Sequence, residues 1–362
     1  MLDDRYLYKL EKGETFHIVD QDGTAGENLD PRLSDELLLK MYRLMVESRA
    51  FDEKALKLQR SGRMGTYPPY SGQEATQIGA ALAMQEQDWL VPSYREGATM
   101  MAKGIAMKNL FMMWMGNDYG NRIPDNIKCL PIAIPVGSQI LHAAGIGWSA
   151  RLKNEKLAVL AFFGDGATSR GDFHEGLNFA SVYNAPVVFL CSNNEFAIST
   201  RNPQQTHAET FAQKAIAYGM KGYRLDGMDA LAAYVLVKDA LDRVRDGESP
   251  ILIESLCYRF GPHTTSDNPD LYRTKEEVER MIRERDPIAR FRNYLMKKGL
   301  WDDSKEKSLT EEAGNMMDRI AREAEQAPAP SFEEYAKHTF ATVPEYLEEE
   351  IEYFKKVQGG KK

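Results

Sequence analysis

The sequence predicts an α/β protein with a doubly wound parallel sheet and helices on both of its faces. Leu157–Phe163 and Val187–Cys191 are continuous apolar runs of strand length, the pattern of parallel strands buried on both sides. Between them, Phe173–Val182 carries Phe173, Leu177 and Ala180 at helical spacing and ends at the breaker Asn184-Ala185-Pro186. Strand, helix and strand make one right-handed crossover. Polar loops follow both strands, Gly164-Asp165-Gly166 after the first and Asn193-Asn194 after the second. Open α/β sheets bind ligands at the carboxyl ends of their strands, so the two loops are expected to face each other.

Composition bounds the rest. At 362 residues, with 43% hydrophobic and 28% charged residues, the chain is globular and long enough for one large or two ordinary domains. A formal charge of −8 provides no basic field for nucleic acid, and the clustered lysines at the C-terminus read as a solvated tail. No run approaches the roughly 20 apolar residues of a membrane span. The start, MLDDRYLYKLEKGE, has neither a signal-peptide core nor the acid-poor character of a transit peptide, so a prokaryotic cytoplasmic location is expected. Cys129, Cys191 and Cys257 are widely spaced in apolar surroundings and suggest neither a disulfide framework nor a zinc site.

In chain order, residues 1–33 read as an N-terminal arm with a turn at Asp20–Gly23, able to reach a neighbouring subunit. Ser34 caps a helix from Asp35 to Arg60, whose Leu37, Leu38, Met41, Leu44, Met45, Ser48 and Phe51 share one face and whose stop is Gly62. The turn-rich loop Arg63–Gly72 leads to a helix over Gln73–Met84, and Asp88–Val91 is a short strand ending in Pro92-Ser93-Tyr94-Arg95. Helices over Gly97–Lys103 and Met107–Met115 present a methionine-rich packing face. A loop over Gly116–Leu130 and the apolar Pro131–Ser138 precede a helix over Gln139–Leu152, on which His142 is read as structural.

Beyond the central crossover, Gln204–Gly219 is loop and helix, Tyr223–Leu225 a strand, Ala230–Arg245 a helix capped by Asp229, and Ile251–Tyr258 the last strand. Its carboxyl end opens into the polar loop Arg259–Asp267. Residues 34–272 form the predicted ligand-binding domain. Residues 273–362 form a C-terminal helical appendage, with helical text over Lys275–Gly299 and Thr310–Glu325, an Ala327-Pro328-Ala329-Pro330 link and a terminal helix.

The chemistry turns on Asp165. A bare pyrophosphate would be repelled by a carboxylate at the centre of a phosphate-type loop. A dinucleotide fingerprint fails because position 169 is Ser, and a P-loop fails because Gly171 is followed by Asp172 and Phe173. The carboxylate is accounted for if a divalent cation lies between it and the phosphates, with an Asn carbonyl completing a shell of hard oxygens. Asp165 and Asn194, 194 − 165 = 29 positions apart, therefore read as a magnesium diphosphate site.

Gly-Asp-Gly, a spacer of this size and Asn-Asn resemble the motif of thiamine diphosphate enzymes. More narrowly, GDGATSRGDFHEGLNFA with NNEFAIST resembles the alpha subunit of the decarboxylating component of 2-oxo acid dehydrogenase complexes. SGQEA at Ser71–Ala75 matches as well, and the resemblance runs from Ser34 to about Gly299. It implies the thiamine diphosphate-binding fold, with magnesium held by Asp165, Asn194 and the backbone carbonyl of Phe196. Gly166, Ala167, Tyr94 and Arg95 would bind the cofactor, Arg95 on the diphosphate, and the backbone of Ile134 with the Val136 side chain would support its bent shape.

His263 would act near the diphosphate and the reacting carbons, with Arg259 holding its loop. Taken without the resemblance, Val136 reads equally as a core valine, Tyr94-Arg95 as a surface stack and His263 as a surface histidine. His174 and His207 match no family site.

The implied activity is oxidative decarboxylation of pyruvate or a branched-chain 2-oxo acid, with acyl transfer to the lipoyl domain of the acyltransferase component. An α2β2 heterotetramer is implied, its beta subunit supplying the activating glutamate. Some residues depart from the pattern. Ser192 stands where some branched-chain members have an Arg, Asn121-Arg122-Ile123-Pro124 lacks a following His, and Phe196 replaces a common Tyr. Thr264 and Ser266 sit where relatives are phosphorylated. Two other readings stand beside this one: the alpha subunit of acetoin dehydrogenase, and a non-catalytic interface or dinucleotide-binding module that kept the fold.

Overall fold

The computed structural model describes residues 13–26 and 29–359, so parts of the predicted arm and of the lysine-rich tail lie outside the described residues. Its centre is a six-stranded sheet, every neighbouring pair parallel. The strands are β1 (Thr15–Phe16), β2 (Trp89–Val91), β3 (Val159–Gly164), β4 (Val187–Asn193), β7 (Lys221–Asp226) and β8 (Ile251–Leu256), in the order β1-β7-β8-β4-β3-β2. A small antiparallel pair, β5 (Phe196–Ala197) and β6 (Thr200–Arg201), stands apart from it.

The apolar runs of β3 and β4 are continuous because the sheet has a core on each face. Leu160, Phe162, Val188 and Leu190 point to one side, and Val159, Ala161, Phe163, Val187, Phe189 and Cys191 to the other. The first face is covered by α1 (Asp35–Arg60), α2 (Glu74–Ala83), α4 (Met107–Trp114) and α7 (Ala230–Arg245), with α3 (Gly97–Lys103) beside α2. The second is covered by α5 (Ser138–Lys153) and α6 (Gly171–Val182). A doubly wound sheet is the result.

Local chemistry explains the boundaries. The Ser34 side chain accepts from the Leu37 N–H at the start of α1, and Asp229 accepts from Leu231 and Ala232 at the start of α7. Helix α2 packs on α7 at Gly79, where a Cβ would lie 2.7 Å from the Ala230 carbonyl oxygen, so no larger residue fits without moving backbone.

Three segments differ from the reading of the sequence. Thr15–Phe16 is too short to register as a strand, yet it pairs with Arg224–Leu225 at the sheet edge, and Asp229 Oδ2 accepts from the N–H groups of Ile18 and Val19 at 2.7 Å each. The text over Lys275–Gly299 is two helices, α8 (Lys275–Arg285) and α9 (Pro287–Lys297). Asp286 caps the second and Pro287 occupies its first position, where a missing N–H costs nothing. Helix α10 runs over Asp303–Glu325 from an Asp302 cap, ahead of the expected Thr310 start, and lays Leu309, Ala313, Met317, Ala321 and Ala324 into the same core as Phe51 and Phe111. Two further helices end the described chain, α11 (Phe332–Thr339) and α12 (Glu345–Gly359). Among the described residues no helix is long and apolar enough to cross a membrane.

Candidate functional site

At the carboxyl ends of β2, β3, β4 and β8, where the loops after each strand converge, lies a cavity of about 310 Å³. The segment after β2 contributes Tyr94 and Arg95, the loop after β3 Asp165, Gly166 and Ala167, the segment after β4 Asn194 and Phe196, and the loop after β8 Arg259 and His263. Val136 enters from the turn before α5 and is 43% exposed, which removes the reading of a core valine. Ile134 is 59% exposed and does not line the cavity with its neighbour.

Asp165 is buried, and burial raises its carboxyl pKa above the ordinary aspartate range. Its Oδ2 accepts from Gln205 Nε2 at 2.6 Å, and the Asn194 backbone amide also favours its ionised form, so the two ends of the predicted motif meet. Among the described residues, the buried side-chain oxygen of Asn194 has no hydrogen-bond partner, and neither has the Ser192 hydroxyl. At Gly166 a Cβ would stand 2.8 Å from the Cβ of Ala197, so the loop after β3 lies against the β5–β6 hairpin with no room for a side chain. That hairpin holds Glu195 and Ile198 at positive φ, 72° and 57°, conformations stabilised only by their surroundings.

His263 is half-buried, and Arg95 is buried beside it. Arg95 donates through Nη1 to the Pro69 carbonyl at 2.6 Å and through Nη2 to His263. The Tyr94 ring meets the His263 ring edge to face at 6.2 Å. Burial, then Arg95 and Arg259, pushes the imidazole down to about 4. Arg259 is fully buried, and among the described residues no carboxylate forms an ion pair with it. It donates to the Ile198 carbonyl at 2.8 Å and the Tyr272 hydroxyl at 3.1 Å, with a longer contact to the Phe196 carbonyl at 3.5 Å. Burial lowers its guanidinium to about 10.

The other histidines are elsewhere. His142 is exposed on the outer face of α5, His174 meets Tyr218 at the surface, and His207 is exposed in the loop after β6. Sequence reasoning missed Gln73 and Gln205. Gln73 is fully buried against the cavity with both side-chain amide atoms unpartnered among the described residues. Gln205 reaches Asp165 from a single helical turn, Asn202–Gln205. Gln73 lies within the SGQEA match but was given no role there, and Gln205 carries no sequence signal, since a glutamine's environment is set by distant segments. Among the described residues no three His, Cys, Asp or Glu side chains form a metal-binding group.

A parallel sheet with a carboxylate, an unpartnered amide oxygen and an arginine–histidine pair at its strand ends belongs to the class of open α/β proteins that bind ligands at the carboxyl ends of their strands. Comparison with known proteins places the chain within that class: it belongs to the dehydrogenase E1 component family, whose model matches residues 42–333. It resembles the alpha subunits of the decarboxylating component of 2-oxo acid dehydrogenase complexes, as the sequence motifs indicated. It is 44% identical over 346 residues to the "Pyruvate dehydrogenase E1 component subunit alpha" of Acholeplasma laidlawii, covering 95% of this chain and 100% of the relative. It is 38% identical over 346 residues to the proteins of the same name from Staphylococcus aureus and Staphylococcus epidermidis, covering 95% of this chain and 93% of each.

Proposed function

We propose that this chain is the alpha subunit of a pyruvate-type dehydrogenase that binds thiamine diphosphate through Mg2+ and works in an α2β2 heterotetramer in the cytoplasm. The observation that carries the reading is the convergence of Asp165, the unpartnered oxygen of Asn194, the Gly166 turn, Arg95 and His263 on one cavity. The pyruvate preference rests on the relatives, which are pyruvate dehydrogenase E1 alpha subunits by name.

The residues present suit a magnesium diphosphate. A buried amide oxygen without a donor costs about 1–3 kcal/mol, which a bound cation would offset. A buried carboxyl held above its ordinary range is ionised when a divalent cation stands beside it. With a single acidic ligand from this chain, the cation would draw its remaining oxygens from the Phe196 carbonyl, the diphosphate and water. Tyr94, Arg95 and the backbone at Gly166 and Ala167 would hold the diphosphate, while Val136 would support the rings. Residues 34–272 supply all of these groups.

When bound, the cofactor supplies a thiazolium that accepts the electron pair left by departing carbon dioxide. His263 is neutral at pH 7, and because Arg95 can only donate, its ring proton is on Nε2. That atom can give or take a proton in the steps after decarboxylation. The beta subunit would contribute the glutamate that activates the cofactor, and the acyl unit would pass to the lipoyl domain of the acyltransferase component.

The test is carbon dioxide release from pyruvate and from 3-methyl-2-oxobutanoate, with acetoin cleavage in parallel, using the chain alone and co-expressed with its beta subunit. Turnover of pyruvate only in the mixed sample, dependent on thiamine diphosphate and Mg2+, is expected. Preference for the branched substrate or for acetoin would overturn the pyruvate assignment, and no turnover of any substrate by folded complex would overturn the catalytic one.

A further inference from the structure

The loop that carries His263 rests on a second loop, residues 63–72, and the join is made at both ends of it. The Phe260 N–H donates to the Ser71 carbonyl at 3.0 Å. Five residues on, the Thr265 N–H donates to the Tyr67 carbonyl at 2.9 Å, and the Tyr67 N–H returns a bond to the Thr265 hydroxyl at 3.0 Å. Between these anchors, Arg95 ties the Pro69 carbonyl to His263. The support is therefore made of Tyr67, Pro69 and Ser71.

Those residues are held in turn by one buried carboxylate. Asp52, on α1 and fully buried, accepts from the Tyr67 hydroxyl at 2.7 Å and the Tyr70 N–H at 3.0 Å on Oδ1. Its Oδ2 accepts from the Ser71 N–H at 3.2 Å and from the Ser71 hydroxyl. Four donors fill the accepting capacity of an ionised carboxylate, and all four are neutral. A stability element would more simply be apolar here, because a buried carboxylate without a cation is expensive. What this one achieves is geometric. Tyr67 and Ser71, the residues that pin the two ends of the His263 loop, are both fastened to the same pair of oxygens.

We propose that Asp52 is a positioning residue for His263, setting the support on which the 259–267 loop is ordered. This rests on the reading that His263 belongs to the working site. Among the described residues, the hydrogen-bond partners of Asp52 are Tyr67, Tyr70 and Ser71, none of which lines the cavity; it acts through Tyr67 and Ser71. Asp52→Asn keeps the shape but turns one acceptor into an N–H2 facing donors, so it inverts the chemistry without leaving a void.

The experiment uses the full chain co-expressed with its beta subunit. Hydrogen–deuterium exchange is followed at 259–267 and at Val159–Gly164 and Val187–Asn193, and thiamine diphosphate affinity is measured by titration in Mg2+. In Asp52→Asn, exchange at 259–267 should rise about tenfold or more while the strands keep wild-type protection, and the cofactor Kd should rise about tenfold. Tyr67→Phe should loosen the Thr265 side of the loop more than the Phe260 side, and Ser71→Ala the reverse. A folded Asp52→Asn protein with wild-type exchange at 259–267 would overturn the proposal. If that variant does not fold, Tyr67→Phe and Ser71→Ala decide: unchanged loop exchange in both overturns it, and the polarised loosening supports it. Failure of the wild-type complex to bind thiamine diphosphate would instead overturn the reading of the cavity, with the exchange comparison still standing.

Discussion

Arg95 and His263 are joined twice by one nitrogen: Nη2 of Arg95 stands 3.2 Å from Nδ1 of the imidazole and 3.0 Å from the backbone carbonyl of the same residue. The first contact places a donor at Nδ1, and the second ties the backbone of the same residue to Arg95. Burial of the ring, and then the guanidinium of Arg95 at its Nδ1 and that of Arg259, make protonation of that ring unfavourable.

That relationship predicts a pH dependence. The ring has an ordinary value of 6.5 in an unfolded chain and about 4 in this fold. Between those values the unfolded chain binds the extra proton, so the stability contributed by the neutral ring is whole above the first value and is lost as pH falls toward the second. Loop order and cofactor affinity should weaken over that window, and His263→Gln should flatten the response. An unchanged acid limb in the variant, measured by cofactor titration across pH, would assign the effect to another group.

Asp165→Ala should lower Mg2+-dependent thiamine diphosphate affinity by at least about 100-fold, since losing even an outer partner of a metal site costs about 10–100-fold. Asn194→Ala should weaken it less, because its oxygen is a neutral ligand. Calorimetric titration with and without Mg2+ separates the two. Equal affinity of wild type and Asp165→Ala would remove Asp165 from the cation shell.

Gly166→Ala places a methyl group 2.8 Å from the Ala197 Cβ. The loop and the hairpin must separate, so a stability loss of about 1–3 kcal/mol is expected together with weaker cofactor binding. Thermal unfolding with and without cofactor reads both; a variant as stable and as tightly binding as wild type would mean that the hairpin yields freely.

Arg259→Lys retains a charge but not the fork that spans the Ile198 carbonyl, the Tyr272 hydroxyl and the Gly261 carbonyl. Two of these acceptors would lose their donor, which predicts about 1–3 kcal/mol of destabilisation and faster proteolysis of the 259–272 segment. Limited trypsin digestion followed over time is the check, and wild-type resistance would contradict it.

What is legible in the sequence and what the fold adds divide along the range of the interactions. The β3–α6–β4 crossover was readable because continuous apolar strands and a 3.6-residue helical period are local patterns. The break at Asp286-Pro287 was also readable in principle, as a cap followed by a first-turn proline, but the charged helical text on both sides hid it. The strand Thr15–Phe16 was not readable, because two residues become a strand only when β7 offers an open edge.

The sequence by itself determined the fold class, the loops that end its strands and the pairing of Asp165 with Asn194, because each of these follows from a period or a motif spanning one crossover. Only the tertiary structure decided that Arg95 grips His263, that Gln205 reaches Asp165, that Gln73 faces the cavity, and that Asp52 fastens the 63–72 loop on which residues 259–267 rest. Each of those contacts joins segments that have no local reason to meet. They are brought together by sheet order and helix packing, which depend on the burial of both faces of the whole sheet.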